Sequence, residues 1–132
     1  MLAAVARQAS SSAEPIPRPA CLVFGGETTI TLHGNGSGGR NQELALGAVV
    51  EMAGLPDAFL VALATDGSDG PTDAAGAVVT GETLARAVSA GISTQNFLAN
   101  NDTFHYFLPL GDLILSGLTR TNVNDLAFLF LL

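Results

Sequence analysis

The stretch Gly34-Asn35-Gly36-Ser37-Gly38-Gly39-Arg40-Asn41-Gln42-Glu43 constrains the fold more than any other part of the chain. It follows the β-branched run Thr28-Thr29-Ile30-Thr31-Leu32 and precedes an amphipathic segment, so it reads as a strand–loop–helix junction. Four glycines in six residues allow a tight turn and a close backbone approach to a ligand, because no Cβ intervenes. The helix start offers N–H groups without intrahelical partners and the positive end of a dipole, which suit a phosphate or carboxylate. Arg40 adds a permanent cation with a two-pronged donor face. A glycine-rich connector with a surface arginine is the plainer alternative. The junction points to an anion site built from Gly36, Gly38, Gly39, Arg40 and Asn41.

Two nucleotide-binding motifs fit this loop by letter, and neither is intact. Gly34-x-Gly36-x-x-Gly39 matches the dinucleotide fingerprint, which also needs an acid at the end of the next strand. Asp57 stands before that strand, at its wrong end. Gly34-x-x-x-x-Gly39-Arg40-Asn41 mimics a Walker loop, with Arg in place of Lys and Asn in place of the cation-holding Ser or Thr.

A chain of 132 residues forms one small domain, short for a complete two-substrate enzyme. Apolar residues make up 48% and charged residues 13%, which excludes disorder. All five basic residues are arginines, so no lysine here serves as base, Schiff-base former or phosphate clamp. A net charge of −7 disfavours nucleic acid and anionic membranes as partners. Cys21 is the single cysteine and, between Ala20 and Leu22, reads as core. No secretory signal is visible, and the longest apolar run, seven residues at 126–132, cannot span a bilayer. Together these point to the cytoplasm.

Hydrophobic periodicity places a short helix over 2–9, an extended proline-rich entry through Pro15, Pro17 and Pro19, and strands over 21–24 and 27–32. A helix follows over 41–53, its only polar stripe being Glu43, Gly47 and Glu51, and it stops at Gly54-Leu55-Pro56. Residues 58–65 are continuously apolar, as in a strand covered on both faces. Then come a strand over 77–80, a helix over 82–90 with Arg86 solvated, helices 94–99 and 103–108 capped by Ser93 and Asp102, and a buried strand over 126–132. The alternation predicts an α/β fold, one small domain with a mixed β-sheet flanked by helices.

Two more polar clusters stand out. Thr65-Asp66-Gly67-Ser68-Asp69-Gly70-Pro71-Thr72-Asp73 begins where an apolar strand ends, the usual place for a functional acid in an open α/β sheet. Its carboxylates could hold a divalent cation, although their spacing departs from the calcium-loop pattern, and Asp-Gly and Gly-Pro are also ordinary turn pairs. Thr119-Arg120-Thr121-Asn122-Val123-Asn124-Asp125 offers hydroxyls, amides and a carboxylate to a cleft. His33, beside the glycine loop, is open to a general-base role, but a surface or packing role is the plainer reading because no paired orienting acid is visible; His105 sits among aromatics.

In order and spacing, these clusters resemble the MOFRL domain, the C-terminal domain of two-domain glycerate kinases, some of which carry the older label of hydroxypyruvate reductase. The matching words are Gly25-Gly26-Glu27-Thr28-Thr29, Gly38-Gly39-Arg40-Asn41-Gln42-Glu43, Thr65-Asp66-Gly67, Asp69-Gly70-Pro71-Thr72-Asp73, Asn100-Asn101-Asp102 and Thr121-Asn122-Val123-Asn124-Asp125. The resemblance implies ATP-dependent phosphorylation of D-glycerate to 2-phosphoglycerate, with Arg40 and Asp66 catalytic and Asn122 and Asp125 completing the substrate wall. It implies that ATP and Mg2+ are held mainly by an upstream Rossmann-like domain, of which residues 1–19 look like the last helix and linker, leaving 20–132 as the MOFRL-like domain. Leu118 and Arg120 depart from the glycine- and proline-containing turn usual before Thr121. The alternatives are an NAD(P)-linked hydroxypyruvate reductase and a truncated, non-catalytic anion-binding domain.

Overall fold

The computed structural model describes residues 1–132. Its elements run α1 (Leu2–Ser12), β1 (Ala20–Gly26), α2 (Arg40–Met52), β2 (Ala58–Ala64), β3 (Gly76–Thr80), α3 (Thr83–Ser89), α4 (Thr94–Ala99), α5 (Thr103–Phe107), β4 (Leu113–Ile114) and β5 (Asp125–Leu131). The five strands form one sheet in the order β1-β5-β2-β3-β4. The α/β class matches the expectation, but every neighbouring pair is antiparallel rather than mixed. β1 and β2 do run in the same direction, joined through α2. The last strand inserts between them in the opposite direction and removes the parallel contact, giving a split β-α-β unit.

α2 is the central helix because its polar stripe is so narrow. Leu46, Val49 and Met52 are buried against Leu60, Val79 and Leu129 of the sheet. α5 adds Tyr106 and Phe107, with ring centroids 5.0 Å apart at a steep angle, and α1 adds Leu2, Ala3, Ala6 and Ala9. Each large apolar side chain buried this way contributes about 1.5–3 kcal/mol relative to exposure. No helix is long and apolar enough to cross a membrane.

All the helices lie on one side of the sheet. Along β2 and β5 burial alternates strictly, so each strand buries one face and leaves the other partly exposed. This corrects the two-sided burial expected for 58–65 and 126–132: a continuous apolar run shows that both faces are apolar, not that both are covered within one chain. Cys21 is corrected in the same way. It is exposed on the uncovered face, where the register sets it beside Phe130.

Residues 27–32 do not form the expected second strand. A side chain pins the end of this segment: the Asn101 amide donates to the Thr31 carbonyl (3.4 Å) and accepts from the N–H groups of the following His33 (2.7 Å) and Gly34 (3.0 Å). Ser93 caps α4 as expected, accepting from the Asn96 N–H at 3.3 Å. Asp102 makes no side-chain cap on α5; its carboxylate accepts from the Ser37 N–H at 2.9 Å and lies 2.6 Å from His105 Nδ1. His105 thus has a neighbouring acid.

Candidate functional site

Register builds the first half of the site. Gly26 of β1, Asp125 of β5 and Ala64 of β2 lie in one row at one end of the sheet. Arg40, the first residue of α2, reaches this row. Its Nε donates to Asp125 Oδ2 at 2.5 Å and its Nη2 to Asp125 Oδ1 at 3.1 Å, a bidentate fork, while Nη1 donates to Glu27 Oε1 at 2.6 Å. Asp125 is 6% exposed, so this is a largely desolvated carboxylate held by a planar cation. The hydrogen bond to Asp125 raises the Arg40 pKa above its already high ordinary value, with burial acting the other way. A guanidinium has five N–H donors, and three are engaged here, so two remain at the partly exposed tip.

The glycine loop approaches the chain itself. A Cβ on Gly36 would lie 2.4 Å from the Asp102 Cβ, one on Gly38 2.0 Å from the Thr103 hydroxyl, and one on Gly39 2.3 Å from the Asp69 Cγ. The N–H groups at the start of α2 already have their anion. Asp69, 2% exposed, accepts from the Asn41 N–H (3.1 Å), the Gln42 N–H (2.9 Å) and the Asn41 side-chain amide (3.1 Å). The charge expected from a ligand is supplied by the second polar cluster, and Asn41 is buried behind it.

The second and third clusters meet at the same end of the sheet. The Thr65 N–H donates to the Asn124 carbonyl (3.2 Å), the Val123 N–H to the Thr65 hydroxyl (2.9 Å), and the Thr119 N–H to the Asp66 carbonyl (3.0 Å). Asp66 stands two residues beyond Ala64, so it shares this edge with Arg40 and Asp125. Its carboxylate accepts only the Ser68 N–H, at 3.1 Å. Asn122 is exposed and accepts the Asn124 N–H at 2.9 Å, holding the turn into β5. Arg120 takes a left-handed conformation, φ 61°, in the turn where glycine was the expected residue type.

Glu43 lies in the first turn of α2, beside Asn101. Burial raises its pKa, and the hydrogen bond from the Asn101 amide (3.0 Å) opposes that shift. The folded state therefore holds the proton more tightly than the unfolded chain does. The stability this proton contributes is fully present below the ordinary value of 4.5 and is lost as pH rises through the raised folded value. Glu43→Gln keeps an acceptor for Asn101 and removes the titration. Urea midpoints of the variant are expected to gain on the wild type as pH rises from below 4.5 toward neutrality. A constant difference across that range excludes the linkage.

A cavity of about 630 Å³ opens beside the Arg40 cluster, lined by Glu27, Asn41 and Asp125, by Phe24 and Leu44, and by the start of α1. The residues present do not form a site for ATP or Mg2+. The α2 N–H groups are occupied by Asp69, the polar end of the cavity is carboxylate-rich, and no three His, Cys, Asp or Glu side chains converge to hold a cation. Sequence reading did not single out Glu27 as an Arg40 partner or Asp69 as the helix cap. Both contacts join segments far apart in the chain, and no local spacing reports them.

The family model described as the MOFRL family matches residues 20–125. D-glycerate 2-kinase of Thermotoga maritima is 43% identical over 125 residues, covering 95% of this chain and 30% of that protein. Glycerate kinase of Bos taurus is 47% identical over 122 residues, covering 87% of this chain and 23% of that protein. The crystal structure of glycerate kinase from Thermotoga maritima superposes with a TM-score of 0.97 at 41% identity, over 99% of this chain and 32% of that one. The chain thus spans about a third or less of the length of the proteins it matches. A family match over residues 20–125, most of the sequence, shows that this chain belongs to the MOFRL family.

Proposed function

We propose that the chain is the C-terminal domain of a glycerate kinase, which transfers phosphate from ATP to D-glycerate to give 2-phosphoglycerate. The observation that carries this reading is the Arg40 guanidinium, forked on Asp125 with two donors free, on the edge it shares with Asp66. Phosphoryl transfer is mostly positioning and charge neutralisation, and a buttressed, permanently charged guanidinium suits both tasks. In this reading Arg40 grips the glycerate carboxylate or the transferring phosphoryl group, and Asp66 accepts a glycerate hydroxyl. Asn122 closes the wall, and Asp125 orients Arg40. Gly36, Gly38, Gly39 and Asn41 shape the backbone that carries Arg40 to the edge. ATP and Mg2+ belong to an upstream Rossmann-like domain in the cytoplasmic enzyme. Residues 1–19 form the connection to it, with α1 docked on the MOFRL core.

The test is a pair of assays. The purified 132-residue chain is expected to show no ATP-dependent phosphorylation of D-glycerate, because it has no lysine and no formed nucleotide site. Fused in place of the matching segment of the Thermotoga maritima enzyme, it is expected to support that activity. Activity in the isolated chain overturns the two-domain reading. NADH oxidation with hydroxypyruvate by the fusion, without kinase activity, replaces it with the reductase.

A further inference from the structure

Space, not backbone conformation, selects the alternation Gly34-x-Gly36-x-Gly38. None of the three has a positive φ, yet a Cβ on Gly34 would lie 2.4 Å from the Asn100 Cα. Gly34, Gly36 and Gly38 meet Asn100, Asp102 and Thr103 in turn, so their missing side chains all face the α4–α5 turn. That turn takes the N–H groups of five successive residues. His33 and Gly34 donate to Asn101 Oδ1, Asn35 to Asn100 Oδ1 (3.3 Å), Gly36 to the Asn100 carbonyl (3.0 Å) and Ser37 to Asp102. In return, the Phe104 N–H donates to the Ser37 carbonyl at 2.9 Å. The loop so held starts at Glu27 and ends at Arg40, whose side chains pair with each other.

Asn101 is the centre of this clamp. It is 5% exposed, and its left-handed φ of 52° is one that asparagine adopts readily. Its amide oxygen holds the loop ahead of Arg40, and its amide nitrogen donates to Glu43, which follows Arg40 by one turn of α2. The backbone on both sides of Arg40 is therefore tied to a single side chain. We propose that Asn101 is a positioning residue of the phosphoryl-transfer reaction, which holds the Arg40 guanidinium at the sheet edge before substrate arrives. The proposal rests on the reading of Arg40 as the group that grips glycerate or the transferring phosphoryl group. An unclamped loop keeps Arg40 in place only part of the time. Apparent affinity then falls by that fraction, while saturating substrate restores the competent arrangement, so the signature lies in KM and not in kcat.

Asn101→Gly removes every side-chain bond of the clamp and keeps the left-handed backbone, which glycine adopts without strain. In the fusion with the remainder of the Thermotoga maritima enzyme, it is expected to raise KM for D-glycerate about tenfold and to leave kcat within about a factor of two. Asn101→Asp keeps the acceptor for His33 and Gly34. Combined with Glu43→Gln, whose amide can donate to the new carboxylate, it is expected to recover most of the loss. A merely structural role lowers kcat through the folded fraction at unchanged KM, and that result overturns the proposal. Hydrogen exchange followed by NMR on the 132-residue chain reads the clamp without any reaction. Asn101→Gly is expected to speed exchange at residues 33–37 about tenfold while the β2 amides stay protected. Exchange of the Arg40 Nε–H, held by Asp125, is expected to quicken with it. Loop amides that open while the Arg40 Nε–H stays as protected as before overturn the proposal, and so does unchanged exchange throughout. A wild-type fusion that phosphorylates nothing, in a protein whose Arg40 still loosens with the loop, leaves the positioning standing and removes the kinase reading instead.

Discussion

Arg40→Ala, introduced into the two-domain fusion, is expected to reduce turnover on D-glycerate about tenfold to a hundredfold. A charge-assisted hydrogen bond is worth about 1.5–3 kcal/mol, and this much lost from the transition state corresponds to that range of rates. The fork on Asp125 and the contact to Glu27 hold the guanidinium before substrate arrives, so little reorganisation offsets its effect. Arg40→Lys keeps the charge but cannot reproduce the bidentate fork, and is expected to recover only part of the loss. Arg86 is unsuitable as a control, because it is not simply solvated as the sequence suggested: its guanidinium donates to Asp112 (2.5 Å) and to the Leu110 carbonyl (3.0 Å), tying α3 to the segment before β4. Arg7 is the better control, since it is 51% exposed and pairs only with Glu51 of α2. Arg7→Ala is expected to leave turnover within a factor of two, the few tenths of a kcal/mol an exposed pair supplies. Steady-state kinetics on the three variants, with thermal melts alongside because Arg40→Ala strands the buried Asp125, decide the matter. Equal turnover for Arg40→Ala and Arg7→Ala removes Arg40 from the reaction.

The second large effect is on stability. Asp69→Ala is expected to cost about 3 kcal/mol, combining two orphaned buried N–H groups with the loss of a helix cap. For a domain of this size that is roughly a 10 °C fall in melting temperature. Asp69→Asn retains one acceptor oxygen and loses the charge opposite the helix dipole, so an intermediate loss is expected. Urea unfolding of the isolated chain checks both variants. A cost below about 0.5 kcal/mol for Asp69→Ala, the range of ordinary surface substitutions, shows that water satisfies the α2 N-terminus instead. Because Asp69 fixes the first turn of α2, the same variant in the fusion also tests whether Arg40 depends on that turn for its position.

Much of the fold was legible in the sequence because it depends on local patterns. The narrow polar stripe of α2, the apolar runs of β2 and β5, the Ser93 cap and the punctuation at Gly54 and Pro56 all express the chain's own periodicity within a few residues. Family membership was legible for a related reason: the ordered polar words survive as text even where their roles are hidden. The placement of Asp66 at the end of a strand was also readable, since it depends only on where the apolar run stops.

What tertiary structure alone decided is which groups meet. Residues 27–32 carry strand-forming residues, but no neighbouring strand pairs with them, and the segment is pinned at its end by Asn101 of the α4–α5 turn, through Thr31, His33 and Gly34. The glycines suggested close approach to a ligand, whereas the atoms packed against them belong to Asp69, Asp102 and Thr103. The helix N-terminus attracts an anion as its dipole dictates, and the nearest one is Asp69, 28 residues from Asn41 in sequence. Whether an apolar strand face is covered is likewise a property of neighbours, not of the strand. A sequence states what each residue can pair with. The partner it takes depends on which groups folding brings within about 3 Å, because hydrogen bonds and charge pairs act at contact range while local periodicity carries no long-range register.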